Sequence, residues 1–291
     1  MRRLIDYFRS YWAETGQPWY LLSILALSCL LVYANYACGL EAHWVRSIHG
    51  QGARILHAYL LYAPPYWLAF GLQYVFAKGV TFHRHRRWWG VLLAAPLLFA
   101  VQTTLPVYWP TYYAYAIQYV VRSACLILPP VLFWYFRDRQ KQALYGMQRP
   151  DTWGYYPYLV LLMIPLLLYA SVQPDFLHLY PRVKVLSAAP DRWRAAIAYE
   201  AGYGLDIFSM EFFFRGFLIL GLVKVCKAQA ILPAALFYCT AHFGKPMAEC
   251  ISSLFGGLML GVIAYKSRSI YVGVLLHLCL AWGLEVLASV R

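Results

Sequence analysis

Four ionisable side chains in the C-terminal third of the sequence lie inside or beside long apolar runs: Glu211, Arg215, His242 and His277. Glu211 and Arg215 are four residues apart, so a helix places them on one face, one turn apart. A charge at membrane depth costs about 2.5 kcal/mol or more, so Glu211 and Arg215 are expected to pair with each other. A carboxylate and imidazoles that are removed from water are suited to general acid–base chemistry near neutral pH.

The two histidines lie on different predicted helices, His242 at the end of an apolar run and His277 in the middle of one. A single histidine on an apolar helix is more often a satisfied core residue, and an isolated Glu–Arg pair can serve only to hold helices together. Their combination on three neighbouring helices indicates a shared site. Glu249, seven residues after His242, is a further candidate acid, although a carboxylate near a helix N-terminus is also stabilised by the helix dipole.

The composition is that of a membrane protein. Of the 291 residues, 62% are hydrophobic and only 13% are charged, and the mean hydropathy is +0.52, whereas soluble domains carry about 25% charged residues. The formal charge of +13 comes from basic residues in short loops, which indicates an anionic lipid surface as the partner and not a nucleic acid. The predicted fold is an all-α, polytopic helical transmembrane bundle in the cell (inner) membrane, with multiple passes.

The apolar runs predict eight or nine membrane spans. Arg122 lies inside the fourth, and Pro64-Pro65 is expected to interrupt the second. Residues 1–155 form N-terminal membrane helices without a recognised motif, and residues 156–291 form the core that carries the candidate site, within one integrated membrane domain. The nine runs are at about 18–40, 56–77, 88–106, 111–136, 155–173, 200–223, 229–243, 250–265 and 270–289.

Loop charges and small residues add two expectations. With a cytoplasmic N-terminus, most loop lysines and arginines fall on the cytoplasmic side, as the positive-inside rule requires. Gly257 and Gly261 are four residues apart, which lets two membrane helices approach closely, and we expect them to bring the eighth span against the sixth or the ninth.

The ordered set of motifs resembles the CPBP family, the type II CAAX-prenyl-endopeptidase-like intramembrane proteases that are also called the Abi family. The resemblance covers roughly residues 195–290. It implies a peptide or protein substrate, including a lipidated one, and a glutamate and a histidine that activate water for attack on a peptide carbonyl. It also implies that the last histidine, with an asparagine four residues later, stabilises the oxyanion. The motifs are Glu211-x-x-x-Arg215-Gly216, Tyr238-x-x-x-His242, Gly256-Gly257-x-x-x-Gly261 and His277.

Two positions depart from the family pattern. In the family the first motif reads Glu-Glu-x-x-x-Arg, and this sequence has Met210 in place of the first glutamate. It also has Ala281 in place of the asparagine that follows the last histidine by four residues. A thioether cannot take a proton from water and a methyl group cannot donate a hydrogen bond. The resemblance therefore leaves Glu211 as the base or its partner and Arg215 as its orienting cation. His242 becomes a base or water ligand, His277 the oxyanion donor or a ligand, and Glu249 the best substitute for the missing acid.

The cofactor and the activity stay open at this point. Glu211, His242 and His277 could form a two-histidine, one-carboxylate zinc site with an open position, but the sequence lacks a His-Glu-x-x-His motif. The leading interpretation is an integral membrane peptidase, a hydrolase of the metalloprotease-like CPBP type. The alternatives are a catalytically inactive CPBP-like membrane scaffold and a proton-linked transporter, although no repeat between the two halves supports the latter.

Overall fold

The computed structural model describes residues 2–76, 81–106, 112–150, 153–154, 156–174, 176, 180–186 and 189–290. Within these ranges the chain forms helices and turns and no β-strand. The all-α prediction is therefore confirmed.

The N-terminal half consists of an amphipathic helix followed by longer apolar helices. Short turns lie between some of these helices: a π-helical turn at Ala42–Arg46 and a 3₁₀ turn at Phe82–Arg84. A second π-helical turn, Trp134–Asp138, extends one of the helices. The helices are α1 Arg2–Thr15, α2 Pro18–Cys38, α3 Gln51–Phe76, α4 Arg86–Thr104, α5 Ala114–Phe133 and α6 Tyr156–Ala170.

Helix α3 runs without a break through Pro64 and Pro65, so the expected interruption of the second span is wrong. The prolines remove two backbone donors, a loss that neighbouring helices and small local changes of the backbone can compensate in a membrane helix. Here α3 packs along α4, and the Trp67 Nε1 donates to the Leu92 carbonyl at 2.9 Å.

The C-terminal half begins with the 3₁₀ turn Arg182–Leu186. Helix α7 is then extended by the π-helical segment Phe212–Leu220, and a further 3₁₀ turn, Lys227–Ala230, separates two later helices. These helices are α7 Arg192–Glu211, α8 Val223–Cys226, α9 Ile231–Thr240, α10 Met247–Ser267 and α11 Tyr271–Ser289.

Four helices of the described chain are long and apolar enough to cross a membrane, or five if the bent pair Arg192–Leu220 and Val223–Thr240 is counted as one span. This supports a membrane protein, whereas the predicted count of eight or nine spans is not confirmed. The four helices are α2, α5 with its π-helical extension to Asp138, α10 and α11.

The π-helical segment and α9 pack side by side in opposite directions. The ring centroids of Phe214 and Tyr238 lie 5.0 Å apart, and further along Ile219 and Ile231 both contact Gly261 of α10. A Cβ on Gly261 would lie 2.9 Å from the Ile231 Cγ2 and 3.1 Å from the Ile219 Cδ1.

The small-residue pair of α10 therefore has a different neighbour from the one predicted. A Cβ on Gly257 would lie 3.1 Å from the Ala235 Cα of α9. The close approach is made mainly to the seventh predicted span, and only Gly261 also reaches the sixth. The reason is that α9 and α10 follow each other across a short turn and pack along their length.

Polar contacts divide the bundle into two ends. At the end near α1, Lys266 Nζ lies 3.0 Å from Glu14 Oε2, and the Arg87 guanidinium pairs with Asp138. At the other end, the Tyr36 hydroxyl donates to the Lys245 carbonyl at 2.6 Å. Each contact joins loops that the sequence-derived topology assigns to one side of the membrane.

Candidate active site

Glu211 is the last α-helical residue of α7, directly before the π-helical segment that contains Arg215. The Arg215 Nη1 lies 3.0 Å from the Glu211 Oε1, so the predicted ion pair is present. Both side chains are fully buried, with exposures of 2% and 0%. Single-turn π-bulges inside helices often occur at functional sites, and here a longer π-helical segment starts at the acid itself.

His277 is brought to the same carboxylate from α11. Its Nδ1 lies 3.2 Å from the Glu211 Oε1. Because a carboxylate only accepts hydrogen bonds, Nδ1 carries the proton in this contact and Nε2 is left free. The His277 side chain is 21% exposed while Glu211 is not exposed at all, so the imidazole is the accessible member of the pair.

The contact depends on a glycine. A Cβ added to Gly273, one turn before His277 on α11, would collide with the Glu211 Oε2. The absent side chain lets α11 approach α7 closely enough for the carboxylate to fit between them.

Tyr238 of α9 connects the remaining predicted residues. The Arg215 Cζ lies 4.2 Å from the centre of its ring, a cation–π geometry that is worth about 2 kcal/mol or more when desolvated. Its carbonyl lies 2.8 Å from the His242 Nδ1, and its ring lies 4.5 Å from the His242 ring and 6.4 Å from the His277 ring. Arg215, His242 and His277 therefore surround one tyrosine, and Glu211 is joined to them through Arg215 and His277.

Glu249 is not brought into contact with this group. Its Oε1 lies 2.5 Å from the Lys245 Nζ across one turn at the start of α10, where its charge also interacts favourably with the helix N-terminus. Its charge acts on His242 over a longer distance, so Glu249 borders the site without joining it.

The fit to a zinc ion is poor. Among the described residues, no group of three or more His, Cys, Asp or Glu side chains is arranged to hold a metal. Glu211 Oε1 is shared between Arg215 and His277, and the His242 Nδ1 is engaged by a carbonyl. A cationic guanidinium on the ligand oxygen opposes binding of a second cation. We therefore derive no step through a metal.

Some polar atoms of the buried Glu211–Arg215 pair have no hydrogen-bond partner. The Glu211 Oε2 and both terminal nitrogens of Arg215 are buried without a hydrogen-bond partner, because the 3.0 Å approach of Nη1 and Oε1 has ion-pair distance but not hydrogen-bond angles. Such unsatisfied charged groups are costly and call for an explanation.

The two departing positions lie in packed surroundings. Met210 packs against the main hydrophobic core. Ala281 is 2% exposed in a cluster that includes Tyr203 and Ile207 of α7, so its methyl group fills a helix–helix contact.

Sequence reasoning missed two residues of this region. Tyr238 appeared only as part of a motif, and its contacts cannot be deduced from its type. The second is Asp206, one turn before Met210 on α7. It lies within the apolar run Gly204-Leu205-Asp206-Ile207-Phe208, so the rule that selected Glu211 would also have selected it.

An all-helical apolar bundle with a buried carboxylate–histidine contact defines a membrane protein with a candidate hydrolytic site. Residues 202–283 match the family model for Rce1-like proteins, described as type II CAAX prenyl endopeptidase Rce1-like. The match spans Glu211, Arg215, His242, Glu249 and His277, and it confirms the resemblance to the CAAX-type proteases over this segment. Comparisons with curated proteins and with solved structures give no match.

Proposed function

We propose that this protein is an integral membrane endopeptidase that hydrolyses peptide bonds with water activated at the Glu211–His277 pair. The observation that carries the proposal is the 3.2 Å contact between the His277 Nδ1 and the Glu211 Oε1, inside the segment that matches a family of endopeptidases. A carboxylate that fixes the tautomer of a histidine is a recurring device of hydrolases.

Burial favours a different division of roles from the one that the resemblance implies. Glu211 is inaccessible, so it acts as the partner that orients His277. The free Nε2 of His277 takes a proton from water as the water oxygen bonds to the peptide carbonyl carbon. Glu211 stabilises the resulting imidazolium. The C–N bond then breaks, and the proton passes from Nε2 to the leaving amine.

Arg215 and His242 have supporting roles in this scheme. Arg215, held on the Tyr238 ring, keeps Glu211 ionised and in place. His242 donates through Nδ1 to the Tyr238 carbonyl, so its Nε2 is free to accept a hydrogen bond from water or from the substrate amide. Glu249 and Lys245 form a charged pair at the edge of this region, where they can contact a substrate.

The membrane context is part of the same proposal. Helices α2 to α7 and α9 to α11 each overlap one of the nine predicted spans, and four of these helices, or five spans if the bent pair is counted as one, are long and apolar enough to cross a membrane. We place the protein in the cell (inner) membrane, with eight or nine passes. The substrate is then a peptide or protein at the membrane, and a lipidated tail would be held there by its own lipid.

A catalytically inactive scaffold is the second candidate. The packing of Met210 and Ala281 within apolar clusters favours it, because neither position offers the polar group that the family pattern places there. In that case the Glu211–Arg215 pair only joins helices.

The test is hydrolysis of a quenched-fluorescent peptide library by the purified protein in proteoliposomes. The peptidase proposal expects turnover that Glu211→Gln and His277→Ala each reduce by about 10³-fold or more, while Arg46→Ala, at an exposed ion pair, leaves it unchanged. Turnover that persists in both site variants would move the activity elsewhere, and no turnover in the wild type would favour the scaffold.

A further inference from the structure

Asp206 lies on the same helix as Glu211. One of its carboxylate oxygens has no hydrogen-bond partner. Its Oδ1 is buried and accepts no hydrogen bond. The Ser209 hydroxyl donates to the Asp206 backbone carbonyl at 2.7 Å and not to its carboxylate. Since a buried carboxylate oxygen without a partner is costly, it calls for a ligand that supplies a hydrogen.

The surroundings of Asp206 come from four different elements. Its charge interacts with Arg122 of α5, Arg182 of the 3₁₀ turn, Lys245 before α10 and His277 of α11. None of the ion pairs found among the described residues includes the Asp206 carboxylate. A purely structural acid would be expected to pair directly with one of these cations, whereas Asp206 faces all of them at longer range.

Glu249 and Glu285 each have one carboxylate oxygen engaged, although the Oε2 atoms of both, and of Glu200, are also buried without a hydrogen-bond partner. Glu249 bonds to Lys245, and Glu285 accepts the Arg182 backbone N–H at 3.0 Å. The charge of Glu200 also interacts with that of Glu285. Unlike Glu249 and Glu285, Asp206 has no hydrogen bond and no ion pair on its carboxylate among the described residues, and its charge interacts with that of His277.

Asp206 lies one helical turn before Met210 on α7. Residues four apart share a helix face, so a carboxylate at position 206 and one at position 210 project from the same side of α7. Met210 itself cannot accept a strong hydrogen bond.

We propose that Asp206 is a second catalytic carboxylate, which holds the attacking water for His277. This inference rests on the proposed peptidase function. Asp206 accepts one hydrogen of the water, while the other passes to the His277 Nε2 as the oxygen bonds to the carbonyl carbon. Asp206 stays ionised, and its charge stabilises the imidazolium until the proton moves to the leaving amine. The alternative is an acid that only balances the charge of Arg122 and Arg182.

The experiment compares single and double variants in the quenched-peptide assay. Asp206→Asn, which keeps the shape of the side chain, is expected to lower kcat by about 10²–10³-fold with little change in KM. Asp206→Glu and the double variant Asp206→Asn/Met210→Glu are each expected to recover at least tenfold of that loss. Glu200→Gln is the matched control on α7, because it removes another partly buried acid, and it is expected to leave kcat unchanged.

The outcomes separate this inference from the proposed function. A wild type without turnover overturns the function itself. An active wild type that His277→Ala inactivates, with Asp206→Asn within threefold of wild-type kcat, overturns only the role of Asp206. Loss of activity in Asp206→Asn together with a lower Tm, and no recovery in either carboxylate variant, also overturns it in favour of charge balance.

Discussion

Removing Arg215 should destabilise the protein far more than removing it together with its partner. Glu211 and Arg215 are buried and lie 3.0 Å apart, and breaking a buried pair by deleting one partner costs about 3–5 kcal/mol because the other charge is left uncompensated. Arg215→Met also loses the contact with the Tyr238 ring, so we expect the upper part of that range. At about 2–4 °C per kcal/mol, Tm should fall by roughly 10 °C.

The double variant Glu211→Met/Arg215→Met should recover most of this loss. It replaces the pair with apolar side chains, a change that is often neutral for buried pairs. Only His277 then lacks its acceptor, at a cost of about 1–3 kcal/mol. Glu211→Met alone also leaves a buried charge unpaired, at about 3–5 kcal/mol, so the two single variants together cost about 7–10 kcal/mol. The coupling free energy, which is that sum less the cost of the double variant, is therefore about 4 kcal/mol or more.

Thermal unfolding of the detergent-solubilised protein, followed by tryptophan fluorescence, measures the cycle. The matched control is Arg46→Met, which removes an ion pair with Glu41 in which the arginine is 63% exposed and which should shift Tm by no more than about 2 °C. A coupling below 0.5 kcal/mol, or a double variant as unstable as Arg215→Met, would show that the two charges do not depend on each other and would refute this account of the site.

Two further predictions follow from close contacts. Gly273→Ala introduces a Cβ into the Glu211 carboxylate, so it should cost about 1–3 kcal/mol and reduce peptide turnover as strongly as His277→Ala does, and normal turnover would refute the need for this close approach. Burial raises the pKa of Glu14, but hydrogen bonds from Tyr265 and Lys266 outweigh it and hold the pKa below its ordinary value. That stabilisation is present above the unfolded pKa of about 4.3 and is lost as pH falls through the lower folded value, so acid should release α1 to limited proteolysis, and a Glu14→Gln variant that shows the same pH-dependent release would contradict this.

The parts of the site that follow from local spacing could be predicted. Glu211 and Arg215 pair because four residues make one helical turn, and this holds although the chain turns π-helical between them. The meeting of Glu211 with His277 was expected only in general terms, from the cost of isolated polar groups in apolar helices. The sequence could not specify that His277 contributes Nδ1, or that Gly273 makes room for the carboxylate, because both depend on how two helices pack.

Other features depended on which helices are neighbours. The predicted neighbour of the Gly257 and Gly261 pair was only partly right: Gly261 reaches Ile219 of the sixth predicted span, but both glycines lie against the seventh. Small residues indicate a close approach but do not identify the helix that approaches. Pro64 and Pro65 did not interrupt α3, since a membrane helix can keep its path when neighbours cover the break. Asp206 belongs to none of the motifs, and only its place in an apolar run marks it in the sequence.

The polar contacts at the two ends of the bundle indicate from which side a polypeptide would reach the candidate active site. Glu14 and Lys266 meet at the end where α1 lies, whereas Lys245, which acts on both His242 and Asp206, meets Tyr36 at the opposite end. The Lys245–Glu249 pair that borders the site thus belongs to the half of the protein away from α1. A polypeptide recruited to this centre would arrive from the compartment that the N-terminal helix does not face.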